Sequence, residues 1–173
     1  MIGTREDGTP FVSSQFSFAG GMGARFAKPG PSATCYPTGI GATPLEILEA
    51  ETPIVFRRRE LRPNSGGPGR SFGGDGQIVE FNVRTDLPWS LNAAPTGVDF
   101  GAEGLEGGSN GATGRFTVNG AVRKVSGKTM MRPGDFVRME TPGGGGFGPA
   151  TENALVNNPS TEGSRDDASN TGV

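Results

Sequence analysis

A mainly β fold (α+β) is predicted for this chain: an antiparallel β body with one short helix near 44–51 and long Gly-rich loops. Three observations predict it. Residues 77–84 alternate apolar and polar side chains with period two, Asn119-Gly120 separates two short alternating runs, and a helix-start signal stands at Thr43-Pro44.

Along the chain, residues 1–9 carry no clear period and are read as a flexible N-terminal arm. FVSSQFSF (11–18) alternates imperfectly and predicts a short strand. GGMGARFAKPGPSATCYPTGIGATP follows, too rich in proline and glycine for any helical period. Thr43, Pro44 and Glu46 then fit an N-cap, a first-turn proline and a capping-box acid. Leu45 and Leu48, with Ile47 beside them, would be the apolar face of that helix, and Pro53 ends it.

Beyond Pro53, PIVFRRREL and GQIVEFNVR read as strands, the second half-buried on its Val79, Phe81 and Val83 side. The turn-rich LRPNSGGPGRSFGGDG connects them. RFTVNGAVRKVS predicts a hairpin whose Phe116, Val118, Val122 and Val125 share the buried face. MMRPGDFVRME repeats that pattern around Pro133-Gly134-Asp135, with Asp135 bonding nearby backbone amides. After Pro149 the large apolar residues thin out, so 149–173 is read as a mobile tail and 10–148 as the patterned body.

Composition narrows the function. With 31 glycines and 14 prolines among 173 residues, disorder has to be considered, but the net charge of −2 lacks the high charge that disorder also requires. No apolar run approaches a membrane span and no signal-peptide order opens the chain, so a cytoplasmic location without membrane contact is expected. A near-neutral balance of 16 basic and 18 acidic residues gives no field for a phosphate backbone, and no nucleic-acid partner is expected. RRRELR (57–62) is better read as a strand at a subunit interface or one paired with acidic neighbours.

Histidine is absent and Cys35 stands alone. Without them, Ser-His-Asp, Cys-His, HExxH and CxxC sites cannot be completed within the chain. Cys35 is read as a buried structural thiol. SGGPGR and GGDGQ share only composition with phosphate-cradling loops, because a strand rather than a helix follows them. TPGGGGFG (141–148) fits either a flexible lid or a close approach of backbone to backbone.

Several blocks stand in one order along the chain: GGMGAR (20–25), TPLEILEAETP (43–53), ELRPNSGGPGR (60–70), GGDGQ (73–77) and RPGDFVRMETPGGGGFG (132–148). In that order, over about residues 20–148, they resemble the C-terminal part of the hydantoinase B/oxoprolinase family. Ser71-Phe72-Gly73-Gly74 and Asp75 depart from the family pattern, Asp75 standing where an apolar residue is usual, which argues against an anion-binding role for that loop.

The resemblance implies part of an ATP-dependent enzyme built from two kinds of component. A hydantoinase A-like subunit would use ATP to activate a carbonyl oxygen, and the B-like component would complete ring opening of a hydantoin, 5-oxoproline or another cyclic amide. Relatives that carboxylate ketones, such as acetophenone carboxylase, supply an alternative, and a non-catalytic interaction module is a third reading. The partners implied are the A-like ATP-binding subunit and a larger B-like N-terminal portion, in a hetero-oligomer to which this chain contributes a small subunit or a C-terminal fragment. ATP and a divalent metal are expected on those partners, with no cofactor or metal in this chain and no activity from it alone. Catalytic residues are not assigned. Gly20, Gly21, Arg25, Ser65, Gly66, Gly67, Arg70, Gly143 and Gly145 are the candidates for interface or active-site-adjacent loops.

Overall fold

The computed structural model describes residues 1–14, 18–35, 39, 41, 43–124 and 127–150. In chain order the elements are β1 (Ile2–Thr4), β2 (Pro10–Val12), α1 (Leu45–Glu51), β3 (Ile54–Leu61), β4 (Gln77–Val83), β5 (Trp89–Ala93), β6 (Arg115–Val118), β7 (Ala121–Val122), β8 (Gly127–Met131) and β9 (Phe136–Glu140). They form two antiparallel sheets, ordered β2-β1-β5-β8 and β3-β4-β9-β6-β7. The mainly β prediction is correct.

Alternation decides what lies between the sheets, because successive side chains on a strand point to opposite faces. Val79, Phe81 and Val83 of β4 join Ile54, Phe116 and Val137 from their own sheet, and meet Phe11, Trp89, Leu91 and Met131 from the other. Phe56 adds an aromatic contact to Phe81, with ring centroids 6.0 Å apart. Within β3 the register passes from Phe56 opposite Phe81 to Arg58 opposite Glu80, so Arg57 is an extra, bulged residue. Simple alternation would have put Arg58 on the Ile54 and Phe56 side. The bulge turns it to the outer face, where it pairs with Glu60. Arg138 joins Glu80 and Glu140 on that face, and Arg62 lies 3.6 Å from Glu140, so the acidic-neighbour reading of RRRELR holds for Arg58 and Arg62.

Several expectations need correction. Residues 1–9 contain β1, which pairs with β2 and β5, so this segment belongs to a sheet instead of standing apart as an arm. Its partner β5 lies in remote sequence, and three residues are too few to show a period. Helix α1 has Pro44, not Thr43, at its N-cap, with ψ 138° and no side-chain cap. A residue preceding proline is held extended, which moves Thr43 outside the helix. Replacing Thr43 by alanine should therefore shift stability by less than about 0.5 kcal/mol, against about 1 kcal/mol for a working cap, as read by urea denaturation.

Val122 is the third correction. Asn119 and Gly120 form the expected hairpin turn (φ +50° and +80°), but β7 is a two-residue sheet edge and Val122 is exposed. The fourth concerns MMRPGDFVRME, where β8 pairs with β5 and β9 with β4 and β6, so Pro133-Gly134-Asp135 turns the chain from one sheet to the other and closes no hairpin. Asp135 does accept the Arg132 amide (2.7 Å), as expected.

Cys35, expected buried, is only partly so. The predicted strand at 11–18 runs in part, and Val125 and the tail beyond Ala150 run wholly, outside the described residues. Among the described residues, no helix is long and apolar enough to cross a membrane.

Candidate functional site

Four glycine-rich segments fold together against the sheets as a bundle of extended backbones: 20–31, 65–76, 101–114 and 141–148. Segment 141–148 runs through its centre. The Gly143 amide donates to Ala112 O, Gly144 to Gly74 O, Gly146 to Ser109 O and Phe147 to Ser71 O, at 2.9–3.0 Å. Gly145 O meanwhile accepts from the Ala24 amide (2.8 Å). Successive peptide groups thus address different neighbours and return to the same one every third residue, the repeat of a polyproline-II-type backbone. Gly143, Gly144, Gly145 and Gly146 are all buried, so the lid reading fails and the close-approach reading stands.

Side chains would prevent this packing. A Cβ on Gly21 would overlap the carbonyl of Gly74, one on Gly66 that of Gly73, on Gly67 that of Ser109, on Gly143 that of Ser65, and on Gly145 that of Glu103. None of these five has a positive φ. Glycine is needed here for space rather than for its backbone freedom. Gly20 lies at the edge, where a Cβ would stand 2.8 Å from Pro142 O.

A polar knot ties the bundle to the sheet. Asp75, buried in the structure, accepts the Gly66 amide at 2.8 Å, and its own amide donates to Ser32 Oγ at 2.9 Å. Ser65 Oγ donates to Arg62 O (2.7 Å) and accepts the Gly76 amide (2.8 Å). The Arg62 guanidinium reaches the carbonyls of Thr113 (2.8 Å) and Thr141 (3.3 Å). The Gly66 donor that might have met an external anion is already taken by a carboxylate of this chain. Asp75→Ala would leave that buried amide unpaired and should cost about 1–3 kcal/mol, with Asp75→Asn milder because it keeps an acceptor; urea midpoints of the two variants check this.

Of the sequence-selected residues, Gly20, Gly21, Ser65, Gly66, Gly67, Gly143 and Gly145 therefore gather in one bundle. Arg25 and Arg70 lie exposed near its rim, Arg70 stacked over the Phe26 ring at 5.1 Å. Arg62, Asp75 and Thr141 had not been singled out as site residues. Each lies inside a family-like block, but only the fold shows that they bond groups of remote segments, Arg62 the Thr113 and Thr141 carbonyls, Asp75 the Gly66 amide and Thr141 the Gln77 amide and the Ala19 carbonyl. Beside the bundle, a cavity of about 360 Å³ opens between the sheet ends, floored by Phe81, Leu91, Phe116 and Met139 and edged by Pro95 and Pro142. Among the described residues no three His, Cys, Asp or Glu side chains gather closely enough to hold a metal ion. What the assembly offers chemically is a rigid, side-chain-poor scaffold.

Comparison with known proteins gives a consistent result. The family model for hydantoinase B/oxoprolinase matches residues 1–150. The chain is 34% identical over 138 residues to 5-oxoprolinase 1 of Arabidopsis thaliana, covering 76% of this chain and 11% of that protein. Its fold is similar to that of ATP-dependent caprolactamase from Pseudomonas jessenii (TM-score 0.62, 25% identity, 81% of this chain and 27% of that one). It is also similar to nucleotide-free acetone carboxylase (TM-score 0.68, 20% identity, 85% and 25%). The chain thus spans about one tenth of the length of the plant relative and about a quarter of each solved chain.

Proposed function

Because the chain belongs to the hydantoinase B/oxoprolinase family, we propose that it forms part of the B-like component of an ATP-dependent cyclic amidohydrolase, one that opens a hydantoin, an oxoproline or a related lactam. The observation that carries this reading is the 34% identity to a 5-oxoprolinase over 138 residues. The likeness to a caprolactamase adds a second protein whose name denotes a cyclic amide. In this reading the glycine bundle is architecture: it holds the sheets and the neighbouring cavity in fixed relation to the rest of the component. A hydantoinase A-like subunit binds ATP, the larger B-like portion brings the divalent metal, and the hetero-oligomer works in the cytoplasm.

A second reading, a ketone carboxylase, comes from the family resemblance; the likeness to acetone carboxylase, at 20% identity, concerns the fold alone. Affinity purification of the tagged chain, followed by turnover assays on whatever co-purifies, separates the two. Large A-like and B-like subunits that release ADP with a cyclic amide and without bicarbonate are the expected outcome. ADP release that requires both bicarbonate and a ketone would transfer the assignment to the carboxylase. Absence of any large subunit would contradict both.

A further inference from the structure

Asn119 joins two turns that the chain builds separately, the β6–β7 hairpin tip and the corner between β8 and β9. Its side-chain Nδ2 donates to Asp135 Oδ1 (2.8 Å) and its Oδ1 accepts the Phe136 amide (2.9 Å). Its backbone amide donates to Phe136 O (2.8 Å), while the other Asp135 oxygen accepts the Arg132 amide (2.7 Å). Both ends of the Asn119 carboxamide are thereby held, although the residue is exposed. The next residue is Gly120, also exposed, whose amide has no acceptor among the described residues.

An asparagine followed by glycine is chemically labile, because no side chain shields the following peptide nitrogen. We propose that Asn119-Gly120 is a latent self-modification site of this protein, kept closed by the grip of Asp135 and the Phe136 amide on the Asn119 carboxamide. In the reaction the Gly120 nitrogen gives its proton to solvent base and bonds to Asn119 Cγ. The Cγ–Nδ2 bond breaks, ammonia leaves with a proton from solvent, and a five-membered imide remains. Water then opens the imide at either carbonyl to leave aspartate or isoaspartate, so the sum is carboxamide plus water giving carboxylic acid plus ammonia.

Attack requires Cγ to swing toward the Gly120 nitrogen, and that motion breaks both side-chain hydrogen bonds. Once converted, position 119 carries a carboxylate against the Asp135 carboxylate. A donor is lost and two like charges meet at hydrogen-bond distance, so the hairpin tip separates from the corner. The change is one-way. A second pair, Asn110-Gly111, serves as an internal reference: Gly111 is buried and its amide donates to Ala102 O (2.9 Å), which occupies the would-be nucleophile.

The test is peptide mapping by mass spectrometry of the full chain aged in mildly alkaline buffer, native and in urea. Similar conversion of Asn110 and Asn119 is expected in urea, with both slowed in the native wild type. Asp135→Ala should speed native conversion at Asn119 by roughly tenfold or more while Asn110 stays slow, and Asp135→Asn, which keeps an acceptor, should fall between. Native wild-type conversion at Asn119 as fast as in urea would overturn the proposal. So would an unchanged rate at Asn119 in Asp135→Ala with Asn110 still protected. Should Asp135→Ala free Asn110 as well, Asp135→Asn decides, and no acceleration at Asn119 there overturns the proposal.

Discussion

Valine in place of Gly66, Gly67 or Gly145 is expected to leave the isolated chain unfolded, before any partner is involved. Each new Cβ would overlap a backbone carbonyl, of Gly73, Ser109 and Glu103 respectively, and backbone cannot rotate away as a side-chain end can. The Ser109 carbonyl accepts the Gly146 amide, and the peptide groups carrying the Gly73 and Glu103 carbonyls are fixed through their amides, Gly74 donating to Met22 O and Gly104 to Asn110 Oδ1. Relief therefore means separating whole segments and exposing their buried peptide groups. The cost should exceed about 4–5 kcal/mol, which is comparable to the total stability of a small domain. Urea denaturation followed by circular dichroism reads it, with Gly41→Ala as the control, since nothing lies within 4 Å of a Cβ there. The control should stay within about 0.5 kcal/mol of wild type.

The second large effect belongs to the inter-sheet core. Phe81 is 1% exposed, packs against Phe56 of its own sheet, and belongs to the core cluster that includes Trp89 and Leu91 of the opposite one. Phe81→Ala should lose about 3–5 kcal/mol, from lost transfer energy plus the cavity left behind. Removing the same ring at Phe100, which is 84% exposed, should cost less than about 0.5 kcal/mol. Equal losses at the two positions would mean that Phe81 is not in the core. The measurement is the denaturant midpoint at unchanged slope, which separates a stability change from a change in the denatured state.

How much of this could be read from residues alone depended on where the partners of each segment lie. Strand β4 was legible because Val79, Phe81 and Val83 share one face and carry their own period. The β6–β7 turn was legible because Asn119-Gly120 suits two successive positive φ values. In β5, Trp89 and Leu91 alternate with Ser90 and Asn92, yet the run is too short to separate from its surroundings. The bulge at Arg57 leaves no residue signature, and only the register against β4 shows that Arg58 faces outward. Turn chemistry at Pro133-Gly134-Asp135 specified a reversal but not which sheet receives the chain afterwards.

The glycine segments posed the largest difficulty, for a physical reason. A run such as Gly143–Gly146 has the composition of a linker, and nothing local distinguishes a mobile run from a packed one. The hydrogen bonds at the bundle centre join residues far apart in sequence, so their order is a property of the fold. The order of the glycine blocks along the chain was the available signal, and it pointed correctly to one family. It did not show that the blocks pack on one another within this chain.

Amide hydrogen exchange on the native chain tests the central claim, that these glycine segments are structural core. The account predicts that the amides of Gly67, Gly74, Gly144 and Gly146 exchange as slowly as those of β4, because each is hydrogen-bonded across the bundle at 2.8–2.9 Å. Exchange of these four at the rate of an exposed loop, with β4 still protected, would contradict it.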